Sequence, residues 1–260
     1  MEGQETRVKV NLAKQKMLNG QPAYGYSLGL GSPQAAEALA VSGIDFIFVD
    51  NQHGSWGPES TSAAFTAIHA GGSVPMARVA RNEYTLIGRL LDEGAMGIIV
   101  PMIDTPEQAK AAADACRFPP VGTRSWGWGA ASRYGADYSD NIGDELFVAV
   151  QLESITAVDN AEAIMSTPGV DGCWVGPADL ALSLGIHPRD QANDDRHIRA
   201  LERVVEACRN TGKIPGFAAF HPDDAKRRAE QGFLYLTAGS DTGFMMSGAL
   251  EGLKTLGLNS

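Results

Sequence analysis

Cysteine is scarce: Cys116, Cys173 and Cys208 are scattered through 260 residues. Three widely spaced thiols fit neither a disulfide framework nor a thiolate metal site, and point to reduced cysteines in a cytoplasm. Positive charge is scarce too. With 21 Lys and Arg against 31 Asp and Glu, the formal net charge of −10 argues against nucleic acid or an anionic membrane surface as partner. No apolar run is long enough to cross a bilayer, and the mixed-charge stretch from Met1 to Lys16 does not read as a secretory signal. A cytoplasmic location without membrane attachment is expected. The chain also lacks a G-x-G-x-x-G opening a strand–helix unit, a P-loop and an H-E-x-x-H, so nucleotide cofactors and zinc hydrolysis have no support. Gly29-Leu30-Gly31 and Gly127-Trp128-Gly129 read as turns.

What is present is a globular composition, 44% hydrophobic and 20% charged, in a length suited to one large α/β domain spanning 1–260. Short apolar runs predict strands at Ala23–Leu28, Phe46–Asp50, Val74–Val79, Gly97–Pro101, Phe147–Leu152, Gly172–Val175, Ile214–Ala218 and Leu234–Ala238. Helical patterns alternate with them at Pro33–Ser42, Glu59–Ala70, Tyr84–Glu93, Pro106–Cys116, Ile155–Ser166, Pro177–Leu184, Ile198–Thr211, Pro222–Gln231 and Thr242–Leu256. A lead-in helix is expected at Val10–Leu18. Strands buried on both faces read as near-continuous apolar runs, and eight of them alternating with helices spell a (β/α)8 TIM barrel. One connection, Phe118 to Gly143, is abnormally long and carries Arg124, Trp126, Trp128, Arg133 and Tyr134. It reads either as a loop covering substrate, with Trp126 in contact, or as a packing surface for a neighbouring subunit.

In such barrels the chemistry gathers at the C-terminal ends of the strands. Those ends carry Asp50 and His53 after the second strand, Arg78 at the third, Gln151 and Glu153 at the fifth, and Gly176-Pro-Ala178-Asp179 after the sixth. Glu153 and Asp179 are the focus: two hard oxygen ligands at matched strand ends suit Mg²⁺ or Mn²⁺. Taken singly, Glu153 could cap the next helix and Asp179 could sit in its own helix's first turn. His53 is a candidate base, and Arg78 a fixed cation that either pairs with Asp50 or meets a substrate anion. Asp92 reads on periodicity as a surface residue. None of the seven lysines falls at a C-terminal strand end, which argues against lysine–imine chemistry. A base candidate, a cation and two metal-type acids are the parts of an enolate-stabilising site.

Asp-Asn-Gln-His-Gly (Asp50–Gly54), Pro-Met-Ala-Arg-Val (Pro75–Val79), Gly-Thr-Arg-Ser (Gly122–Ser125), Val-Gln-Leu-Glu-Ser (Val150–Ser154) and Gly-Pro-Ala-Asp-Leu (Gly176–Leu180) together resemble the HpcH/HpaI aldolases. These are metal-dependent class II pyruvate aldolases, and the likeness runs from about Leu12 to Gly252. The resemblance implies that Glu153 and Asp179 bind Mg²⁺, Mn²⁺ or a similar ion such as Co²⁺. It implies that a 2-oxo acid is held near Gly176, Ala178 and Asp179, with an aldehyde as second substrate. Arg78 would steady the oxo oxygen, and His53 would move protons, oriented by Asp50 and by Asp92 of a neighbouring subunit. Gln151 would support the metal site. A hexamer, built as a trimer of dimers with exchanged C-terminal helices, is implied as well; the apolar residues Phe244, Met245, Met246, Leu250 and Leu253 independently suggest an oligomer. Two positions depart from the family pattern: Gln52 stands where many members have Glu, and Tyr26 or Ser27 where heptanedioate aldolases have Trp. The expected activity is reversible cleavage of a 4-hydroxy-2-oxo acid to pyruvate or hydroxypyruvate plus an aldehyde. Alternatives are Claisen-type condensation, oxaloacetate decarboxylation, or a non-catalytic barrel that binds 2-oxo acids.

Overall fold

The computed structural model describes residues 8–127, 129 and 131–258. Eight parallel strands close into a barrel in chain order. They are β1 (Ala23–Leu28), β2 (Phe46–Asp50), β3 (Val74–Arg78), β4 (Gly97–Val100), β5 (Phe147–Leu152), β6 (Gly172–Val175), β7 (Gly216–Phe217) and β8 (Tyr235–Ser240). The expected (β/α)8 barrel is the observed fold. β7 is short because Pro215 offers no N–H to the ladder, so Ile214 reaches Gly172 only as an isolated bridge.

Helix starts follow the punctuation. Thr105 accepts from the Gln108 amide while the Gln108 side chain accepts from the Thr105 amide, a capping box with Pro106 at the first helical position. The helix expected over Ile155–Ser166 is instead two, Ile155–Asp159 and Ala161–Met165. The break falls at Asn160, whose side-chain amide donates to the Asp104 carbonyl.

Inward positions alternate along each strand and fill the barrel. Tyr235 packs between Phe46 and Phe147, with ring centroids 4.6 and 4.9 Å away, and its hydroxyl donates to the Met76 sulfur. Neighbouring strands make room with glycine. A Cβ on Gly25 would lie 2.1 Å from the Phe46 ring, and one on Gly216 would lie 2.8 Å from Tyr235.

The N-terminal end of the barrel is closed by two segments. The lead-in helix Leu12–Leu18 buries Ala13 and Met17, and Asn11 donates to the carbonyls of Met96 and Glu145. Buried Lys14 donates to the carbonyls of Asp144 and Leu146 and pairs with Asp171 at 3.1 Å. The long connection after the helix Pro106–Cys116 is the second segment. It contains helices Ala131–Tyr134 and Tyr138–Glu145, which the sequence reading left as loop. The Tyr134 hydroxyl donates to Gly94 just before β4, and Arg117 pairs with Asp171 just before β6. These partners all precede strands, so the segment lies at the end of the barrel opposite the C-terminal rim. It therefore does not cover the rim of its own chain. Trp126 is half exposed at this far end, and Trp128 lies outside the described residues.

The last helix, Asp241–Thr255, leaves the rim with Ser240 as its cap. Phe244 packs edge-on against Tyr26 at 4.8 Å; beyond it Met245, Met246, Leu250, Leu253 and Leu256 are exposed. No helix among the described residues is long and apolar enough to cross a membrane.

Because the Phe46 ring occupies the space beside Gly25, Gly25→Ala should destabilise the barrel by about 1–3 kcal/mol through overpacking. Thermal unfolding measures this, and an unchanged Tm would mean that the interior yields more easily than its packing suggests.

Candidate active site

The parallel register sets Asp50 at the end of β2 beside Arg78 at the end of β3. Both are buried, and they form a two-point ion pair: Arg78 Nε donates to Asp50 Oδ1 at 2.8 Å and Nη2 to Oδ2 at 2.5 Å. Asp50 Oδ1 also accepts from the amides of Gln52 and His53 at 3.1 and 3.3 Å. One carboxylate thus fixes the cation and shapes the turn that carries His53. Gly54 completes that turn, since a Cβ there would lie 2.4 Å from the Asp50 carbonyl. Arg78 pairs with Asp50 as one sequence reading had it, leaving Nη1 outside that ion pair. The guanidinium carbon lies 5.5 Å from the centroid of the Trp174 ring, whose edge meets Phe48 at 5.4 Å.

Glu153 follows β5. The capping of the next helix falls to Ser154, whose hydroxyl accepts from the Ala157 amide at 3.0 Å, so Glu153 is free of that task. Its Oε1 accepts from the Met102 amide at 2.9 Å and its Oε2 from Gln151 Nε2. Met102 holds a left-handed backbone, φ 57°, to present that amide. Burial pushes the Glu153 carboxyl up to about 6, and the charge of Asp179 adds to the rise. The Met102 amide, Arg78 and Gln151 act in the opposite direction. Asp179 sits in the first turn of helix Pro177–Ser183 and is exposed at the cavity mouth.

These groups surround a rim cavity of about 240 Å³. Its walls include Asp50, His53, Arg78, Gln151, Gly176 and Asp179, and Glu153 stands just behind Gly176. His53 is exposed, and no described hydrogen bond engages its ring. The sequence reading missed Phe48, Trp174 and Thr237, which also line the cavity. Strand parity is the signal that could have found them, because they alternate with residues facing outward. A larger cleft of about 750 Å³ lies at the opposite end, where Lys14 and Arg117 are already paired with Asp171.

Asp92, like Trp126, is an expected site residue that the chain does not bring to this rim. It ends the helix Tyr84–Glu93 at the far end of the barrel, where its carboxylate accepts from Arg124 at 2.8 Å. Arg124 is itself buried, stacked on Phe118 at 4.6 Å.

The donor set fits a hard divalent ion. Two carboxylates lie close enough for one to raise the other's proton affinity, a repulsion that a cation would relieve. Gly176 keeps the space beside them clear: a Cβ there would lie 2.6 Å from Glu153 Oε2 and 2.8 Å from Gln151 Nε2. Among the described residues no cluster of three or more His, Cys, Asp or Glu could hold a metal. Water and substrate oxygens would have to complete the coordination.

Residues 24–247 match the model of the HpcH/HpaI aldolase/citrate lyase family. The chain belongs to this family. It is 37% identical over 243 residues to the hydroxypyruvate/pyruvate aldolase of Chromohalobacter salexigens, covering 90% of this chain and 93% of the relative. It is 35% identical to the 4-hydroxy-2-oxo-heptane-1,7-dioate aldolase of Klebsiella pneumoniae, covering 92% and 91%. Among solved structures, an HpcH/HpaI family protein from Burkholderia cenocepacia superposes with a TM-score of 0.88 at 34% identity, covering 95% and 99%. Both of these curated relatives are named as aldolases, and this protein is a carbon–carbon lyase.

In this HpcH/HpaI barrel the gap at Gly176 is a direct test of the ion site. Gly176→Ala should displace Glu153 or Gln151 and weaken Mn²⁺ binding by roughly 10–100-fold, as disturbed support of ligands does elsewhere. Calorimetric titration checks it. Wild-type affinity in that variant would mean that the ion is held elsewhere.

Proposed function

We propose that the protein reversibly cleaves 4-hydroxy-2-oxo acids to pyruvate or hydroxypyruvate plus an aldehyde, with a divalent ion such as Mg²⁺, Mn²⁺ or Co²⁺ held by Glu153 and Asp179. The observation that carries this reading is the convergence of those two carboxylates with an anchored Arg78 and an unengaged His53 around one cavity. The family and the names of its aldolase relatives support it. When bound, the ion would supply a Lewis acid that polarises the oxo group of the substrate.

The protein residues divide the remaining work. The backbone near Gly176, Ala178 and Asp179 binds the carboxylate of the 2-oxo acid. Arg78, with two of its nitrogens committed to Asp50, turns the rest of its guanidinium toward the oxo oxygen. Charge building there as the carbon–carbon bond breaks is stabilised by ~3–4 kcal/mol per well-placed donor. Asp50 keeps that cation in place and carries the turn of His53. His53 takes the proton of the 4-hydroxyl group as the carbon–carbon bond breaks and delivers it to the third carbon of the 2-oxo acid, and without an aldehyde it takes a proton back from that same carbon. Gln151 holds one oxygen of Glu153 and so orients the ion's ligand.

Asp92 and Trp126 enter through assembly. Both sit at the far end of the barrel, so only a second copy could receive them at its rim. The exposed apolar side of Asp241–Thr255 supports an oligomer in which this helix is exchanged. The reading is of a hexamer built as a trimer of dimers, with Asp92 orienting the partner copy's histidine and Trp126 facing the incoming aldehyde.

The methyl protons of pyruvate should exchange with deuterium in heavy water without any aldehyde. Exchange should stop on chelation and return with Mg²⁺, Mn²⁺ or Co²⁺. Glu153→Ala and Asp179→Ala should abolish it by losing the ion, and Arg78→Ala should cripple it with the ion retained. His53→Ala should slow it by ~10²–10⁴. Exchange that survives rigorous metal removal, or borohydride trapping of pyruvate on a lysine, would sink the class II reading.

Light scattering should report a hexamer, and Asp92→Ala should lose activity without losing assembly. A fully active monomer, or full activity in Asp92→Ala, would refute the shared site.

A further inference from the structure

Two side chains that line the rim cavity each bury a polar atom that has no partner among the described residues. The indole N–H of Trp174 and the amide oxygen Oε1 of Gln151 make no hydrogen bond, and bulk solvent reaches neither. The residues are 4% and 1% exposed. They are register neighbours on β6 and β5, and both line the rim cavity.

The orientation of the Gln151 amide is settled by its neighbour. Gln151 Nε2 donates to Glu153 Oε2, and a carboxylate only accepts, so Oε1 is the free end of the amide. Trp174 is held between the Arg78 guanidinium and the Phe48 ring. A buried donor or acceptor without a partner forfeits its hydration, and folded proteins seldom leave either unmet. Here one of each stands on adjacent strands. A hydroxyl group both gives and takes a hydrogen bond and complements the pair; a methyl group satisfies neither atom.

We propose that Trp174 and Gln151 form a slot for a hydroxyl on the third carbon of the 2-oxo acid, so that hydroxypyruvate is the preferred nucleophile over pyruvate. The proposal rests on the aldolase reading above. Arg78, which that reading turns toward the oxo oxygen, lies against the Trp174 ring, so the carbon next to the oxo group falls within reach of this wall. The hydroxyl accepts from the indole N–H and donates to Gln151 Oε1. Trp174 and Gln151 determine specificity in this scheme and take no part in bond cleavage. Trp174→Phe keeps an aromatic platform under Arg78 while removing the indole N–H together with part of the ring.

The test compares hydroxypyruvate with pyruvate in the metal-loaded wild type, Trp174→Phe and Gln151→Met. It reads kcat/KM with one common aldehyde and the Kd of each 2-oxo acid by calorimetry. The wild type should favour hydroxypyruvate by roughly 10–100-fold, the selectivity expected from two ordinary hydrogen bonds. Trp174→Phe should cut that ratio about tenfold or more, whatever happens to the absolute rates. A wild type that favours pyruvate, or variants that lose both donors equally, would overturn the slot and leave the indole as support for Arg78 alone. Turnover of neither donor would instead defeat the aldolase reading, and the two Kd values would still decide the slot. Circular dichroism checks each variant; should Trp174→Phe not fold, the wild-type ratio and Gln151→Met carry the decision.

Discussion

The Asp50–Arg78 ion pair is the constraint on which the rim depends. Two charges inside a barrel are costly to desolvate, and each is tolerable only because the other is present at two hydrogen bonds' range. Loss of one partner from such a pair typically costs about 3–5 kcal/mol, because an unpaired charge is left in a poorly hydrated site. Asp50 spreads its influence further through the amides of Gln52 and His53, so the same carboxylate orders a cation, a turn and a base. Arg78 spreads its own through the Trp174 ring. Stability and chemistry here share the same atoms.

The two ends of the barrel divide the work. The C-terminal rim is built from residues at strand ends and in the turns and helix start just beyond them, with small residues such as Gly176, Ala218 and Gly239 opening the cavity. The N-terminal end is sealed by a separate structure, the lead-in helix and the segment after Pro106–Cys116. There buried Lys14 and Arg117 tie two pieces of chain to Asp171. Asp92 and Arg124 belong to that sealed end, where they pair with each other away from the rim of their own chain.

Much of the fold was legible because strands buried on both faces leave nearly unbroken apolar runs, bounded by proline and glycine. The rim was legible for a related reason: a polar residue ending such a run, as Asp50, Arg78 and Glu153 do, has few structural uses. Trp174 was hidden by the same logic, since an indole inside an apolar strand reads as core. On composition the segment Phe118–Gly143 reads as a substrate cover or a subunit contact; its place between a helix and a strand puts it at the far end of its own barrel. Asp92 could not be read from its neighbours in sequence, because its partner Arg124 lies on the next connection and meets it only in three dimensions.

The lead-in helix has a consequence for how the chain is made. Among the described residues the Lys14 side chain finds its partners at Asp144, Leu146 and Asp171, and β1 pairs with β8. On the ribosome the first segment therefore emerges long before anything exists to receive it. Synthesis at ~5–20 residues per second leaves Ala13 and Met17 without cover for several seconds or more. Polar neighbours such as Lys14, Gln15 and Lys16 dilute that apolar surface while it waits, and the barrel can close only after its last strand has been delivered.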